Sequence, residues 1–215
     1  MKLLQNAATY EIVDFTHSAE KQIELAARTC YQSYHRITKT SAKKLIKTLL
    51  SRNPPHETPL EFAYLTVNFK NVSRGMMAEL TRHRLASFQV QSTRYVKQTG
   101  FNFVLPPDKN PKERINTAYE ELSIETAVEV MEAFYSGLLM AGWKPEDARQ
   151  FLPIGITTEI SMCCNFREMR TIFKLRCDKK AHWEIRGIMQ NLLKECIKRW
   201  PVCFEDLKHL LKGKE

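Results

Sequence analysis

The stretch that decides the fold runs from Tyr64 to Arg84 and reads YLTVNFKNVSRGMMAELTRHR. Its first half alternates apolar and polar residues and places Leu65, Val67 and Phe69 on one face, which predicts a half-buried strand. Its second half has no such alternation and predicts a helix that continues to Arg84. A strand followed by a helix therefore forms the centre of the chain.

A second strand is predicted further along, in the segment FNFVL at residues 101–105. It repeats the alternation, with Phe101, Phe103 and Leu105 on one face. Between the helix and this strand, the spacing after Ala86 becomes irregular and polar, which predicts a loop.

Outside this middle region the sequence predicts helices. From 181 to 200 apolar residues recur at three- and four-residue steps, with Asp178 at the N-cap position and Pro201 as the stop. Another helix is predicted from Lys112 to Ala141, ended by Gly142. Its apolar stripe consists of Ile115, Ala118, Tyr119 and Leu122. Shorter helices are predicted at 17–28, at 41–51 and in KPEDAR at 144–149.

This order of elements predicts an α+β fold, with helices around a small, mostly antiparallel sheet, because strands and helices do not alternate regularly. Two segments rich in proline and turn formers, NPPHETP at 53–59 and PPDKNPK at 106–112, are predicted to be internal connections. The expected organisation is one domain over residues 1–215.

Composition narrows the class of protein. The chain is 43% hydrophobic and 27% charged, with a formal net charge of +9, which favours a globular protein with an anionic partner. No apolar run reaches the ~20 residues that span a bilayer, and no secretion signal opens the chain, so we expect a cytoplasmic protein without a membrane partner.

The sequence lacks the motifs of a metal site and of a glycine-rich nucleotide site. The six cysteines include no CxxC pair, so we expect free, mostly buried thiols and no metal. The seven glycines include no GxG spacing, so both the Rossmann fingerprint and the P-loop are absent. Any dinucleotide must then be held by side chains and helix ends.

Clustered arginines point to an anion. Arg82 and Arg84 flank His83, and Ser92, Thr93 and Arg94 combine hydroxyls, backbone amides and a guanidinium in a pattern that suits phosphate. A basic solvated face is the alternative. We favour an anion site because the preceding GMMAEL is apolar, the cations are arginines, and acidic partners are missing nearby.

Further arginines lie at Arg149, Arg167, Arg170 and Arg176. Arg176 ends an apolar segment and is expected to be partly buried, so it requires a partner. That partner is either Asp178 or another carboxylate, or a ligand.

These motifs together resemble the flavin-dependent thymidylate synthases. The family signature is RHR, seven residues and a serine, which here is Arg82 to Ser92. AARTCY, HETPLEF, STRYV, EDARQFLP and LRCDKKAHWEI follow the family's order, and the similarity runs from about residue 25 to 205.

The resemblance implies an oligomeric flavin-binding fold without a Rossmann motif. It implies the reductive methylation of dUMP to dTMP, with methylenetetrahydrofolate as carbon donor and FAD, reduced by NADPH, as hydride source. It also implies a homotetramer with active sites shared between subunits, and no nucleic-acid partner.

Roles follow by motif position. The residues expected at the flavin are Arg82, His83, Arg84, Val90, Asn165, Arg167 and Thr171. The residues expected at dUMP are Glu79, Arg82, Gln91, Ser92, Thr93, Arg94, Arg149 and Arg176.

Arg176 is expected to be the catalytic residue. A guanidinium fixed beside N3 and its flanking carbonyl favours the ionised pyrimidine and pushes electron density toward C5. Ser92 lacks a matching base for nucleophilic attack, so a binding role is expected. His83 stands beside two arginines, which disfavours its protonated form, so contact with the flavin or orientation is expected.

Four positions depart from the family pattern. Phe62 follows PLE where histidine is frequent, Thr171 replaces asparagine, Val90 replaces glutamate or glutamine, and Cys30 replaces a serine. None of them removes a motif arginine.

Two other functions stay open on the sequence. One is a non-catalytic nucleotide or nucleic-acid binding module, although no periodic basic and aromatic pattern supports it. The other is a flavoprotein of the same fold that acts on another pyrimidine nucleotide.

Overall fold

The computed structural model describes residues 2–211. Strands and helices are numbered along the chain. The strands are β1 (Lys2–Leu4), β2 (Thr9–Phe15), β3 (Tyr64–Ser73), β4 (Ser87–Val90), β5 (Asn102–Val104), β6 (Arg114–Asn116), β7 (Glu121–Ser123) and β8 (Thr157–Asn165). The α-helices are α1 (Ala19–Thr29), α2 (Ser41–Leu50), α3 (Arg74–Leu80), α4 (Ile124–Met140), α5 (Pro145–Ala148), α6 (Phe166–Arg176), α7 (Trp183–Arg199) and α8 (Pro201–Phe204).

The α+β prediction is confirmed, with a small antiparallel sheet. Four strands lie in the order β2-β3-β8-β4, so the predicted central strand β3 is an inner strand. Leu65, Val67 and Phe69 are all fully buried, as their alternation predicted. The second predicted strand is β5, and its flanking residues Phe101 and Leu105 are buried.

The chain divides into two compact units, each made of three separated segments. Within the described residues, the first unit contains 2–9, 69–80 and 89–160, and the second contains 10–68, 81–88 and 161–211. The expectation of a single domain stays a prediction.

The first unit has its own apolar core. Phe101, Val128 and Ile156 are buried together, and Leu3, Phe103 and Leu152 pack against them. β1 pairs in parallel with β5 in this unit. A Cβ on Gly155 would lie 2.4 Å from the ring of Phe103, so the close approach of ring and backbone requires glycine.

The second unit is organised around an aromatic cluster. Phe166 contacts the rings of Trp200 and Phe204 at centroid distances of 5.0 and 5.1 Å. Phe173 meets Phe204 edge-on at 5.9 Å, and Phe15 meets Trp200 at 5.3 Å. α6 therefore packs firmly against the end of α7 and against α8, and this packing holds the residues of α6 in place.

The structure corrects the region after β3. α3 ends at Leu80, not at Arg84, and residues 81–86 form turns. The segment after Ala86 begins with strand β4, not with a loop. β4 is hydrogen-bonded to β8, and a pairing between segments so far apart in sequence has no local signal.

The predicted helix over residues 112–141 is wrong in its first half. Residues 114–123 form an antiparallel hairpin in which Ile115 of β6 faces Leu122 of β7. The Oγ1 of Thr117 closes the turn by donating to the carbonyl of Glu120 at 2.6 Å. α4 starts only at Ile124, where the Ser123 hydroxyl accepts from the Thr126 amide as an N-cap.

The other helix predictions are confirmed with adjusted ends. The N-cap position of α7 is His182, not Asp178, and the Asp178 carboxylate instead accepts from the Lys180 amide at 2.8 Å. Pro201 ends α7 and opens α8. Gly142 follows α4 with a φ of +89°, a left-handed conformation that suits glycine after a helix end.

Candidate active site

The Arg82–His83–Arg84 triplet lies in the turn after α3, in the second unit. Arg82 and Arg84 are exposed, while His83 is only 6% exposed. A turn therefore presents two cations to solvent and encloses the imidazole between them.

His83 joins two residues of α6. Its Nε2 accepts a hydrogen bond from Nε of Arg176 at 2.9 Å, and its Nδ1 lies 3.5 Å from a carboxylate oxygen of Glu168. Burial, Arg176 and Arg82 together lower the pKa of His83 to about 4. His83 is therefore neutral at physiological pH, as the sequence indicated. One partner of Arg176 is therefore this imidazole.

Helix α6 and its N-cap position hold three further predicted flavin residues. Asn165 caps the helix, and its side-chain oxygen accepts from the Glu168 amide at 2.9 Å. Arg167 is exposed and pairs with Glu61. Thr171 donates to the carbonyl of Arg167 at 3.3 Å. Arg167, which is closest to solvent among them, is the residue best placed to meet an anionic ligand.

One arginine of α6 has a structural role. Arg170 is 1% exposed and is held by Glu57 at 2.9 Å, by Asp206 at 2.6 Å and by the Cys203 carbonyl at 2.5 Å. Burial works against its charge, but the two carboxylates prevail and raise its pKa. Glu57 also accepts from Lys174 at 3.0 Å. This network ties α6 to the segment before residue 58 and to the end of the described chain.

In the first unit, the Ser92–Arg94 turn meets α5 and its C-terminal neighbour. Nη1 of Arg149 lies 3.5 Å from Oγ1 of the buried Thr93, and its Nε donates to the Glu146 carbonyl at 3.1 Å. Arg94 pairs with the Glu146 carboxylate at 3.1 Å, and the Ser92 hydroxyl accepts from the Arg94 amide at 3.3 Å. Four of the predicted dUMP residues thus form one cluster together with Glu146.

Arg74 joins this cluster and was not among the residues predicted from the sequence. It follows β3 directly, and its Nη1 lies 3.5 Å from the carbonyl of Gln91. Burial and the neighbouring charge of Arg149 lower the pKa of Arg74. Two half-buried guanidiniums that repel each other form an arrangement that suits an anionic ligand. The only sequence signal for a role of Arg74 was its position between a buried strand and an apolar helix.

The remaining predicted positions lie in the first unit. Glu79 is on α3 and half-buried, and Val90 is the last residue of β4. The contacts proposed for Glu79, Val90 and Gln91 with ligands stay predictions.

A cavity of about 770 Å³ lies in the second unit between α1, α2 and the 3₁₀ helix Thr58–Phe62. Among the described residues that line it, none is acidic, whereas several are basic or aromatic. Arg28 is held by Glu24 at 2.9 Å, and Phe62 is 57% exposed. The basic and aromatic lining residues are Arg28, Tyr31, His35, Arg36, Arg52, His56 and Phe62.

The cysteines are free thiols and most of them are buried, as the sequence predicted. Cys164, Cys177, Cys196 and Cys203 are buried thiols whose pKa values are raised by burial, and Cys30 is exposed. Between residues 2 and 211, no group of three or more potential metal ligands comes together. No helix in that range is both long and apolar enough to span a bilayer.

Comparison with known proteins identifies the family. The model of the family described as thymidylate synthase complementing protein matches residues 11–202. The flavin-dependent thymidylate synthase of Saccharolobus solfataricus is 32% identical, over 91% of this chain and 75% of that protein. The enzyme of the same name from Halobacterium salinarum is 34% identical, over 80% of this chain and 79% of its own length.

Solved structures share the fold. The UMP/dUMP methylase PolB from Streptomyces cacaoi, bound with 5-Br dUMP, has a TM-score of 0.78 at 22% identity and covers 97% of both chains. Thymidylate synthase X from Helicobacter pylori, with FAD and dUMP, has a TM-score of 0.72 at 22% identity, over 96% of this chain and 100% of that one. The chain therefore belongs to the thymidylate synthase complementing protein family, that of the flavin-dependent thymidylate synthases.

Proposed function

We propose that this chain methylates dUMP to dTMP reductively, with methylenetetrahydrofolate as carbon donor and FAD, reduced by NADPH, as hydride source. Family membership supports the reaction. The observation that carries it in this chain is the anchoring of Arg176 by a neutral, buried His83. Such an arginine is a preorganised cation, which is what an electron-poor pyrimidine needs to react at C5.

Arg176 activates the substrate. Its guanidinium stabilises negative charge on N3 and the flanking carbonyl of uracil, which increases the electron density at C5. Because Nε is bonded to His83 at 2.9 Å, the planar group is held in one orientation. No cysteine nucleophile is required, and the raised pKa values of Cys177 and Cys203, about 12, keep these thiols protonated.

The FAD site is proposed around Arg82, Arg84 and Arg167, with Asn165 at the start of α6. Three exposed guanidiniums in the second unit suit the pyrophosphate of a dinucleotide, and they do so without a glycine-rich turn. When bound, the flavin supplies the hydride for the one-carbon unit. The residues of this chain bind and orient it.

The phosphate of dUMP is proposed to bind Arg74, Arg149 and Thr93. We expect Arg149→Met to raise the KM for dUMP roughly tenfold to a hundredfold, because a hydrogen bond to a charged group is lost. Deoxyuridine has no phosphate, so the parent and Arg149→Met should turn it over at the same rate. Arg114→Met is the matched control, since Arg114 is an exposed hairpin arginine of the same unit, paired with Glu121 at 2.8 Å. An unchanged KM in Arg149→Met would contradict the assignment.

The carbon donor is proposed to enter the basic cavity of the second unit. Its volume of about 770 Å³ accepts a bicyclic ring, and its arginines suit the carboxylates of the glutamate moiety. We expect Arg52→Glu to raise the KM for methylenetetrahydrofolate roughly tenfold to a hundredfold, because a like charge then faces the ligand. The KM for dUMP should stay within twofold. Lys47→Glu makes the same charge change on α2 outside the cavity, and an equal effect there would refute the assignment.

A homotetramer with shared active sites is proposed as the working form. α4 exposes Val130, Met131 and Phe134, each more than two-fifths accessible. Phe151 extends this patch through ring contacts with Phe134 and Trp143 at 5.3 and 6.0 Å. An apolar surface of this kind is suited to burial against another subunit.

Free buried thiols also fit the cytoplasm, where we place the protein.

The proposed function is tested by the absorption spectrum of the purified protein with and without dUMP, followed by an assay with dUMP labelled at C5. We expect a flavin spectrum that dUMP perturbs, and release of the C5 label that depends on methylenetetrahydrofolate and NADPH. A colourless protein that ignores dUMP would favour a binding module. A yellow protein that is inactive with dUMP would favour another pyrimidine nucleotide.

A further inference from the structure

We propose that Glu168 and His83 are positioning residues that hold Arg176 in its reactive orientation, with Glu168 acting through the imidazole. The proposal rests on the proposed role of Arg176. The three side chains form one line of contacts in the second unit, from the Glu168 carboxylate through the His83 imidazole to the Arg176 guanidinium.

The hydrogen bond from Arg176 determines the tautomer of His83. Nε of Arg176 always carries a hydrogen, so His83 Nε2, 2.9 Å away, must present a lone pair. The proton of the neutral ring is therefore on Nδ1, which lies 3.5 Å from the Glu168 carboxylate. The opposite tautomer would direct N–H toward N–H and remove this hydrogen bond. A carboxylate on the Nδ1 side selects the productive tautomer.

The charges around the line favour the same arrangement. His83 is faced by Arg176, Arg82 and Glu168, and Glu168 lies near the thiol of Cys164. A protonated ring could not accept from Arg176 and would place a third cation beside two arginines. Burial raises the pKa of Glu168. The ionised carboxylate that selects the tautomer of His83 is therefore present above this raised pKa and is lost as the pH falls through it. Neutral His83 and ionised Glu168 are thus the working states.

The distinguishing test is the tautomer itself. The holoprotein is labelled with ¹⁵N-histidine, and the two ring nitrogens of His83, assigned with His83→Gln, are observed by NMR at neutral pH. We expect a protonated Nδ1 and an unprotonated Nε2 in the parent, and a shift toward the other tautomer in Glu168→Ala. Should that variant fail to fold, Glu168→Gln keeps the volume, and the same shift is expected at smaller size.

Kinetics then separate positioning from simple structural support. Glu168→Ala should lower kcat for dUMP roughly tenfold to a hundredfold, the value of a charge-assisted hydrogen bond, with the KM for dUMP within twofold. In a His83→Ala background the same change should cost nothing, because Glu168 acts only through the ring. His83→Gln, whose amide oxygen can accept from Arg176, should restore most of the loss in His83→Ala.

A matched control removes a carboxylate that is tied to the same helix by another route. Asp206→Asn breaks the pair with Arg170 of α6 and should lower thermal stability without altering the His83 nitrogens or kcat. The proposal is overturned if Glu168→Ala leaves the tautomer unchanged, or if its effect and that of His83→Ala are additive. A parent that shows the Nδ1–H ring but does not methylate dUMP would refute the proposed function and leave the line of contacts standing.

Discussion

Replacing Arg176 by alanine is expected to lower dTMP formation by roughly a hundredfold to a thousandfold, the cost of removing one preorganised charge-stabilising group. The half-buried guanidinium is the group proposed to stabilise the ionised pyrimidine, and nearby water cannot replace it. The measurement is single-turnover formation of dTMP at saturating dUMP and methylenetetrahydrofolate, because it reports the chemical step without product release.

Two companion variants show whether the loss is chemical. Arg176→Lys keeps the charge but lacks the planar group and the Nε donor to His83, so we expect it to recover only a small part of the rate. Arg199→Ala removes a surface arginine that pairs with Glu195 at 2.5 Å, and it should behave as the parent. In all three variants the visible flavin absorption should persist. Full turnover by Arg176→Ala would refute its role.

Replacing Arg170 by alanine is expected to lower the free energy of unfolding by about 3–5 kcal/mol, because it leaves Asp206 and a buried carbonyl without their cation and Glu57 with Lys174 alone. Arg170 is 1% exposed and binds Glu57, Asp206 and the Cys203 carbonyl, so water cannot take its place. Urea denaturation at one fixed chain concentration measures the change, since an oligomer is stabilised by mass action.

The pH dependence of the parent's stability tests the same network of Arg170 and Glu57. Burial opposes the charge of Glu57, but Lys174 and Arg170 prevail and lower the pKa of this carboxylate. Its stabilisation is therefore complete above the ordinary glutamate value and is lost as the pH falls through the lowered one. Arg170→Ala should weaken this acid dependence. Arg167→Ala, which breaks an exposed pair on the same helix, should cost less than about 1 kcal/mol. Equal losses in both variants would contradict this account.

Much of the fold was predictable because its signals are local. The alternation of β3, the apolar stripe of α7 and Gly142 after α4 all read directly from neighbouring residues. The hairpin at 114–123 was not predictable in this way. Ile115 and Leu122 are seven residues apart, a spacing that fits one helix face as well as two facing strands. A threonine hydroxyl closes the turn without glycine or proline, so no breaker marked it.

The site was predictable in its residue types and not in its partners. Motif arginines could be named from spacing, but the contact of His83 with Arg176 joins residues 93 positions apart. Arg74 escaped notice because its importance comes from the Gln91 carbonyl and the nearby charge of Arg149. Whether these groups meet dUMP and FAD as the family resemblance implies stays a prediction.

The turn that encloses His83 and leaves Arg82 and Arg84 in water separates two tasks within three consecutive residues. Because the outer side chains lie in solvent, we expect their exchange to change which anions the turn attracts while the contact of His83 with Arg176 is kept. The middle position does not allow the same exchange: a lysine or arginine there would repel Arg176, and an aliphatic residue would remove the hydrogen bond that Nε of Arg176 donates to the imidazole. We therefore expect libraries randomised at the two outer positions, with the imidazole held constant, to yield variants with altered ligand preference.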